Sequence, residues 1–325
     1  TVKGAAATGS VFADGAYAFR LLDSAAFPEL ELGQRVVTMR PSAASSIGYR
    51  VAATAGSTLV LQAVDSAGGV WRLFDPFGRQ VAAASGETIT RSIDIASTGS
   101  YTLLNDGYYG ANGASNVGFT LARQTKVSAA LAFNRPLSVS AAGVGSVAEY
   151  RFTLAQASTL VFDALSGPSS ASSASSASSP IDSPGPSSPR WMLAGPLGTV
   201  RGWTSLRDDP GQILRLSPGD YLLTLDTSGP PGAEYRFRVL NADSAIDLPS
   251  GAHINETIAA GETRLYRFTA AAGQSTVVAK PPLSSDVNQR VAWQLWDPYG
   301  RPLATLGAGT TQTPLPTSGE YLLAV

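Results

Sequence analysis

Cysteine is absent from the 325-residue chain and histidine occurs once, at His253. No disulfide, thiolate metal site or thiol nucleophile can form, and a three-histidine metal site is excluded. A repeated Ser-His-Asp triad is equally impossible with one imidazole. Charge is sparse: 14% of residues are Asp, Glu, Lys or Arg, and the net charge is −1. The 23 basic residues are scattered singly, whereas a nucleic-acid surface needs them clustered. No apolar run reaches the ~18 residues of a membrane-spanning helix. Helical periodicity is not sustained over any long window, no signal peptide is visible, and no glycine-rich phosphate loop opens a helix.

What the chain has is repetition, and this decides the architecture. Tyr49-Arg50-Val51 returns as Tyr150-Arg151-Phe152 and Tyr266-Arg267-Phe268. A second signature, Trp71 to Arg79 (Trp-Arg-Leu-Phe-Asp-Pro-Phe-Gly-Arg), returns from Trp191 to Gly198 and from Trp293 to Arg301. A third places Tyr101, Tyr221 and Tyr321 two residues after a glycine. These tyrosines lie 120 and 100 residues apart, the size of an independently folding β-domain and too long for a solenoid unit. Each copy alternates apolar with polar residues, as in Tyr49-Val51-Ala53, and its Asp-Pro-x-Gly turns are hairpin signals. The expected fold is all-β: three tandem antiparallel β-sandwich modules of jelly-roll type.

The expected boundaries are 23–124, 125–241 and 242–325. Residues 1–22 read as the closing strand of a preceding module, because Tyr17-Ala18-Phe19-Arg20 matches Tyr235-Arg236-Phe237-Arg238. The third module reads as truncated before its own closing strand, so the chain is expected to come from an array extending both ways. Trp71, Trp191, Trp293, Tyr101, Tyr221 and Tyr321 are the expected core. An aromatic recurring at one strand position usually fills one inter-sheet site, and a Gly-x-Tyr tyrosine can turn its hydroxyl to backbone.

The order of these signatures resembles the bacterial pre-peptidase C-terminal family. The resemblance runs through most of the chain and implies jelly-roll-like sandwiches appended to secreted enzymes or strung along surface proteins. Some members of that family bind calcium through clustered acidic loops. Here the matching stretches offer only Asp65 in one copy and Asp286 and Asn288 in another, short of the six to eight oxygens calcium takes. No cofactor is therefore expected.

Candidates for chemistry are few. Asp208-Asp209 is an adjacent carboxylate pair on a turn, which reads as solvated. Asn255-Glu256-Thr257 matches a glycosylation sequon by pattern alone. The non-repeated loop holding Tyr108, Tyr109 and Asn112, with Asn116 nearby, offers rings and amides that could stack on and hydrogen-bond a sugar. The expected function is a non-catalytic spacer array of a large secreted bacterial surface protein or adhesin. Its partners are expected to be neighbouring modules and a glycan or host surface, without nucleic acid or membrane insertion. The alternatives are a carbohydrate-binding accessory module of a secreted hydrolase and a β-rich shell segment of an exported toxin.

Residues 169–189 are almost wholly Ser, Ala, Pro and Gly. Such a run buries too little apolar surface to offset its ordering entropy and reads as a surface loop. Replacing it with a short Gly-Ser connection is expected to leave the urea midpoint nearly unchanged, since closure entropy grows slowly with length. Limited proteolysis of the parent chain should nick there first. Unfolding of the second module on replacement would refute this.

Overall fold

A computed structural model describes residues 21–325 apart from 43–44, 65–68, 87, 108–113, 167–188, 207–212, 230, 260–261, 279–292 and 307–310. It is all-β, with two short 3₁₀ turns, η1 (Ser24–Ala26) and η2 (Ala242–Ser244). The first sandwich contains β1 (Arg35–Arg40), β2 (Ile47–Ala53), β3 (Thr58–Val64), β4 (Val70–Phe74), β5 (Gln80–Ser85), β6 (Thr88–Asp94), β7 (Gly99–Asp106) and β8 (Ser115–Arg123). Its sheets run β1-β8-β3-β6 and β2-β7-β4-β5, the interleaving of a jelly roll.

The second sandwich contains β9 (Thr125–Ala130), β10 (Leu137–Ser140), β11 (Ser146–Leu154), β12 (Ser158–Ser166), β13 (Arg190–Gly195), β14 (Gly198–Ser205), β15 (Ile213–Leu216), β16 (Gly219–Asp226) and β17 (Glu234–Asn241). Its sheets are β10-β17-β12-β15 and β14-β13-β16-β11-β9. The third contains β18 (Ile246–Asp247), β19 (Leu265–Ala270), β20 (Ser275–Val278), β21 (Trp293–Trp296), β22 (Pro302–Leu306), β23 (Thr311–Pro314) and β24 (Gly319–Ala324). Its sheets are β18-β19-β24-β21-β22 and the pair β20-β23.

The antiparallel expectation needs one amendment. β9 pairs with β11 in parallel, and β18 with β19 likewise. Each is the entry strand of its sandwich and joins the sheet edge running the same way as the strand it flanks. The expected closing strand over residues 1–22 falls mostly outside the described residues. Leu21 and Leu22, which are described, lie in no strand.

The three signatures are one packing device. In each hairpin turn a proline faces the glycine that precedes the corner tyrosine. A Cβ at Gly99, Gly219 or Gly319 would stand 2.5, 2.4 or 2.9 Å from Cγ of Pro76, Pro196 or Pro298. All three glycines also hold positive φ (158°, 149° and 142°), so any side chain there meets both contact and strain. The corner tyrosines are buried and donate back to the backbone: Tyr101 to the Ser97 carbonyl at 2.8 Å, Tyr221 to that of Ser217 at 2.8 Å, and Tyr321 to that of Thr317.

The tryptophans differ. Trp71 and Trp191 are 1% and 2% exposed. Phe119 of β8 packs on Trp71 with ring centroids 4.7 Å apart. In the second sandwich Phe237 of β17 stacks on Phe162, which stacks on Trp191 at 4.5 Å. Trp293 is only partly buried, and the described third sandwich has no counterpart of β8 or β17. Replacing Trp71 or Trp191 by alanine is expected to cost roughly 3–5 kcal/mol each. Trp293→Ala should cost clearly less, measured by denaturant unfolding followed through the remaining tryptophans. Equal losses at all three positions would contradict this account.

Candidate functional site

Among the described residues two kinds of surface carry organised geometry: the tips of the tryptophan hairpins and the faces where successive sandwiches meet. At the first tip the Asp75 carboxylate is spent on its own turn. Oδ1 accepts from the backbone N–H groups of Phe77 (2.9 Å) and Arg79 (2.8 Å), and Oδ2 accepts from Arg79 Nε (2.8 Å). Asp297 repeats this with the N–H groups of Tyr299 (2.9 Å) and Arg301 (2.9 Å) and with Arg301 Nε (2.7 Å). Loss of solvent pushes both carboxyls up in pKa, but the backbone and guanidinium donors outweigh it, so both lie below the ordinary carboxylate value. These are structural clamps. Gly195 holds the equivalent place in the second sandwich, where a Cβ would stand 2.6 Å from Tyr221 Cε1.

Each tip presents one large apolar side chain: Phe77, Leu197 and Tyr299 are all well exposed. Arginine covers a ring at two of them, with Arg79 5.5 Å from the Phe77 centroid and Arg301 5.3 Å from that of Tyr299. Nearby on β14, Trp203 is half-exposed beneath the Arg190 guanidinium at 4.7 Å.

Of the expected ligand-binding residues, Tyr108, Tyr109 and Asn112 lie outside the described residues, as do Asp65, Asp286, Asn288, Asp208 and Asp209. Asn116 is exposed on β8 opposite Met39, itself exposed. His253 is exposed between β18 and β19. Glu256, within the sequon, pairs with Arg264 and accepts from the Tyr266 hydroxyl. Among the described residues no group of His, Cys, Asp and Glu could hold a metal ion. A cavity of about 10 Å³ beside Trp71, Leu61 and Ile93 is the size of a single water.

The faces between sandwiches carry the most organised polar geometry. β3 and β12 are buried on both faces. Leu59 and Leu61 point into the first core, yet Val60 between them is only 3% exposed. Leu160 and Phe162 point into the second core, with Val161 between them at 1%. The outward residues form matching cross-strand pairs, Val60 with Ala122 and Val161 with Leu240. Gly145, at φ 82°, comes so close to the first patch that a Cβ would stand 3.0 Å from Val60 Cγ2. Across the second patch Val161 and Leu240 form one buried cluster with Ala245, Leu265, Trp296, Leu322 and Ala324 of the third sandwich.

Beside that cluster Arg238 spans the junction. Its Nε donates to Asp163 Oδ2 (2.6 Å) and its Nη2 to the Thr263 carbonyl (2.6 Å), while the Thr263 N–H approaches the same carboxylate oxygen at 3.3 Å. Asp163 is wholly buried, and Oδ1 has no hydrogen-bond partner. Burial raises its pKa despite the opposing pull of Arg238 and Thr263. Trp296, Val161, Asp163 and Arg238 went unidentified from sequence. Their legible signal is the unbroken apolar run at Leu59-Val60-Leu61 and Leu160-Val161-Phe162, which marks a strand covered on both faces.

No protein-family model matches the sequence, and no curated protein matches it. Solved structures similar to it include the CUB1-EGF-CUB2 domain of human MASP-1/3, at 8% identity and TM-score 0.19 over 63% of this chain and 99% of that one. The CUB1-EGF-CUB2 domains of rat MASP-1 give 8% identity and TM-score 0.18 over 63% and 97%. The major capsid protein P2 of bacteriophage PM2 gives 9% identity and TM-score 0.17 over 63% and 97%. At such TM-scores these likenesses carry no argument.

The clamps give a pH dependence of known sign. A carboxyl whose folded pKa lies below its unfolded value near 3.8 adds stability above that value and loses it as pH falls through the folded pKa. Below about pH 4, Asp75→Asn and Asp297→Asn variants are expected to lose less stability than the parent chain on further acidification. Thermal midpoints measured between about pH 2 and 6 check this. Parallel curves for parent and variants would contradict it.

Proposed function

We propose that the chain is a non-catalytic structural array, a stiff spacer within a large secreted bacterial surface protein or adhesin. The observation that carries this reading is the repeated junction. The outward pair at Val60 and Ala122 recurs at Val161 and Leu240, and in both places it is buried. Free-standing binding or catalytic domains joined by a linker have no need of such a pair. In the first two sandwiches the residues between the core positions of β3 and β12 face the next sandwich, which supports a fixed pose between neighbours. The buried carboxylates support the same reading, since Asp75 and Asp297 close turns and Asp163 holds an arginine that reaches the Thr263 carbonyl across a junction. The resemblance to the pre-peptidase C-terminal family and the lack of cysteine fit an exported bacterial chain.

One observation favours a second reading, glycan binding. The rings of Phe77, Tyr299 and Trp203 are exposed, and aromatic faces stack on sugars. Glycan-array binding by the full chain, lost on Phe77→Ala and Tyr299→Ala, would move the assignment to an accessory binding module.

The spacer reading is tested by stiffness. Because the chain has no cysteine, Thr199→Cys and Glu320→Cys give a unique pair of spin-label positions on the second and third sandwiches. Pulsed dipolar spectroscopy is expected to return one narrow distance distribution. Replacing Arg238 by alanine strands the buried Asp163, a loss of about 3–5 kcal/mol for breaking such a pair, and should broaden the distribution. A broad distribution in the parent chain would overturn the spacer reading.

A further inference from the structure

The junction between the second and third sandwiches buries a carboxylate and serves only half of it. Asp163 is wholly buried, two residues after Val161 of the junction cluster. Oδ2 takes both donors within reach, Arg238 Nε and the Thr263 N–H, and Oδ1 takes none. A charged carboxylate in a dry interface with every donor on one oxygen favours its neutral form.

Arg238 is better supplied. Its side chain keeps 14% of its surface in solvent. Nη2 donates to the Thr263 carbonyl at 2.6 Å, and Nη1 lies 3.9 Å from Glu262 Oε1. The arginine thus has water, a carbonyl and a second carboxylate, whereas Asp163 has the arginine and one long amide contact. When one charge of this pair is given up, it is that of Asp163. A proton on Oδ1 removes it and leaves Oδ2 accepting from Arg238 and Thr263. Among the described residues the other charged side chains nearby are engaged or exposed. On β17, Arg236 is exposed opposite Ser166. On β15, Arg215 stands opposite Thr159, where the turn at Gly300 meets it. Before β19, Arg264 pairs with Glu256, and the Asp243 carboxylate of η2 accepts from Asn241 Nδ2.

We propose that proton uptake closes the joint between the second and third sandwiches: a proton on Asp163 Oδ1 tightens it, so this part of the array is stiffest in mild acid and loosens as pH rises. The proton comes from solvent as the face closes over Asp163 and returns to solvent when the face opens. Burial lifts the Asp163 carboxyl above the ordinary value of 3.8, and the opposing pull of Arg238 and Thr263 does not cancel that rise. A carboxyl whose pKa is higher in the closed state holds its proton more tightly there. Closure therefore gains as pH falls through the closed-state pKa, and the gain is lost as pH rises through it. The same places at the first junction hold Gln62 and Thr120, which do not titrate. The proposal rests on the array reading for a joint that closes, and adds what controls the closing.

Thiol labelling tests it. The chain has no cysteine, so Ala245→Cys, in the junction cluster at 7% exposure, gives one thiol that reacts when the joint opens. Its rate with dithiodipyridine, a reagent active in acid, is compared with that of the exposed Thr199→Cys to give a protection factor corrected for thiol ionisation. Between about pH 8 and 5 protection is expected to rise as pH falls, by up to about tenfold per pH unit where Asp163 takes its proton. Adding Asp163→Asn, neutral at every pH and of the same shape, should give a flat profile at the level the parent reaches in acid. Far-ultraviolet circular dichroism checks that this variant folds, and the profile with Asp163 intact decides the matter without it. Protection that stays flat or falls on acidification overturns the proposal. So does an asparagine variant less protected than the parent at about pH 8, where the carboxylate is charged. High, flat protection in the parent leaves the array reading standing and sinks this proposal alone, whereas no protection at any pH sinks both.

Discussion

The structure depends on a pair of strands that is buried on both faces. β12 and β17 send Leu160, Phe162, Phe237 and Val239 into the second core, and Val161, Asp163, Arg238 and Leu240 the other way. An ordinary antiparallel sheet in a sandwich keeps one face wet. Here the second face is dry because another sandwich sits on it, so the same backbone hydrogen bonds serve a core and a junction at once. β3 and β8 do this for the first two sandwiches, with Val60 and Ala122 outward and Gln62 and Thr120 buried in the places of Asp163 and Arg238. Register at the junction is inherited from register in the core, because a one-residue slip of either strand would exchange the two faces.

The two junctions solve polar burial differently. The first uses small and neutral groups: Gly145 allows close approach to Val60, and Gln62 and Thr120 carry no charge. The second uses a charge pair, in which Arg238 neutralises Asp163 and reaches the Thr263 carbonyl. A buried ion pair adds little net stability over a well-packed apolar contact, yet losing one partner costs heavily. Its value lies in orientation, since the guanidinium has to meet groups from both sandwiches together. Arg40 is a comparable case within the first sandwich. It is fully buried, lies within 3.3 Å of Ser115 and Asn105, and has a pKa lowered by desolvation.

Much of the fold is legible in the sequence because the chain states it three times. The tryptophan hairpin, the Asp-Pro-x-Gly turn and the Gly-x-Tyr corner each mark a local geometry, and their spacing marks a sandwich. The clamp at Asp75 and Asp297 and its replacement by Gly195 are likewise visible as one substitution between copies. The parallel entry strands β9 and β18 carry no such mark, since a short exposed strand such as Thr125–Ala130 looks like a connection. The junctions are legible only in part. The run Leu160-Val161-Phe162 announces a strand with two covered faces, but what covers the second face comes from residues more than a hundred positions away, such as Leu265, Trp296 and Leu322. Trp296 illustrates the difficulty: it stands three residues after the repeated Trp293, where the other copies have Phe74 and Ala194, and is buried to 1% exposure in the cluster that joins the second and third sandwiches.

Double burial makes a direct claim about local stability. Amides in strands covered on both faces open only with global or near-global unfolding, whereas those on a bare edge exchange through small fluctuations. Native-state hydrogen exchange of the chain measures this strand by strand. The account expects β3, β8, β12 and β17 to be the slowest-exchanging strands and β20 the fastest of the equivalent set. Protection of β20 equal to that of β12 would contradict it.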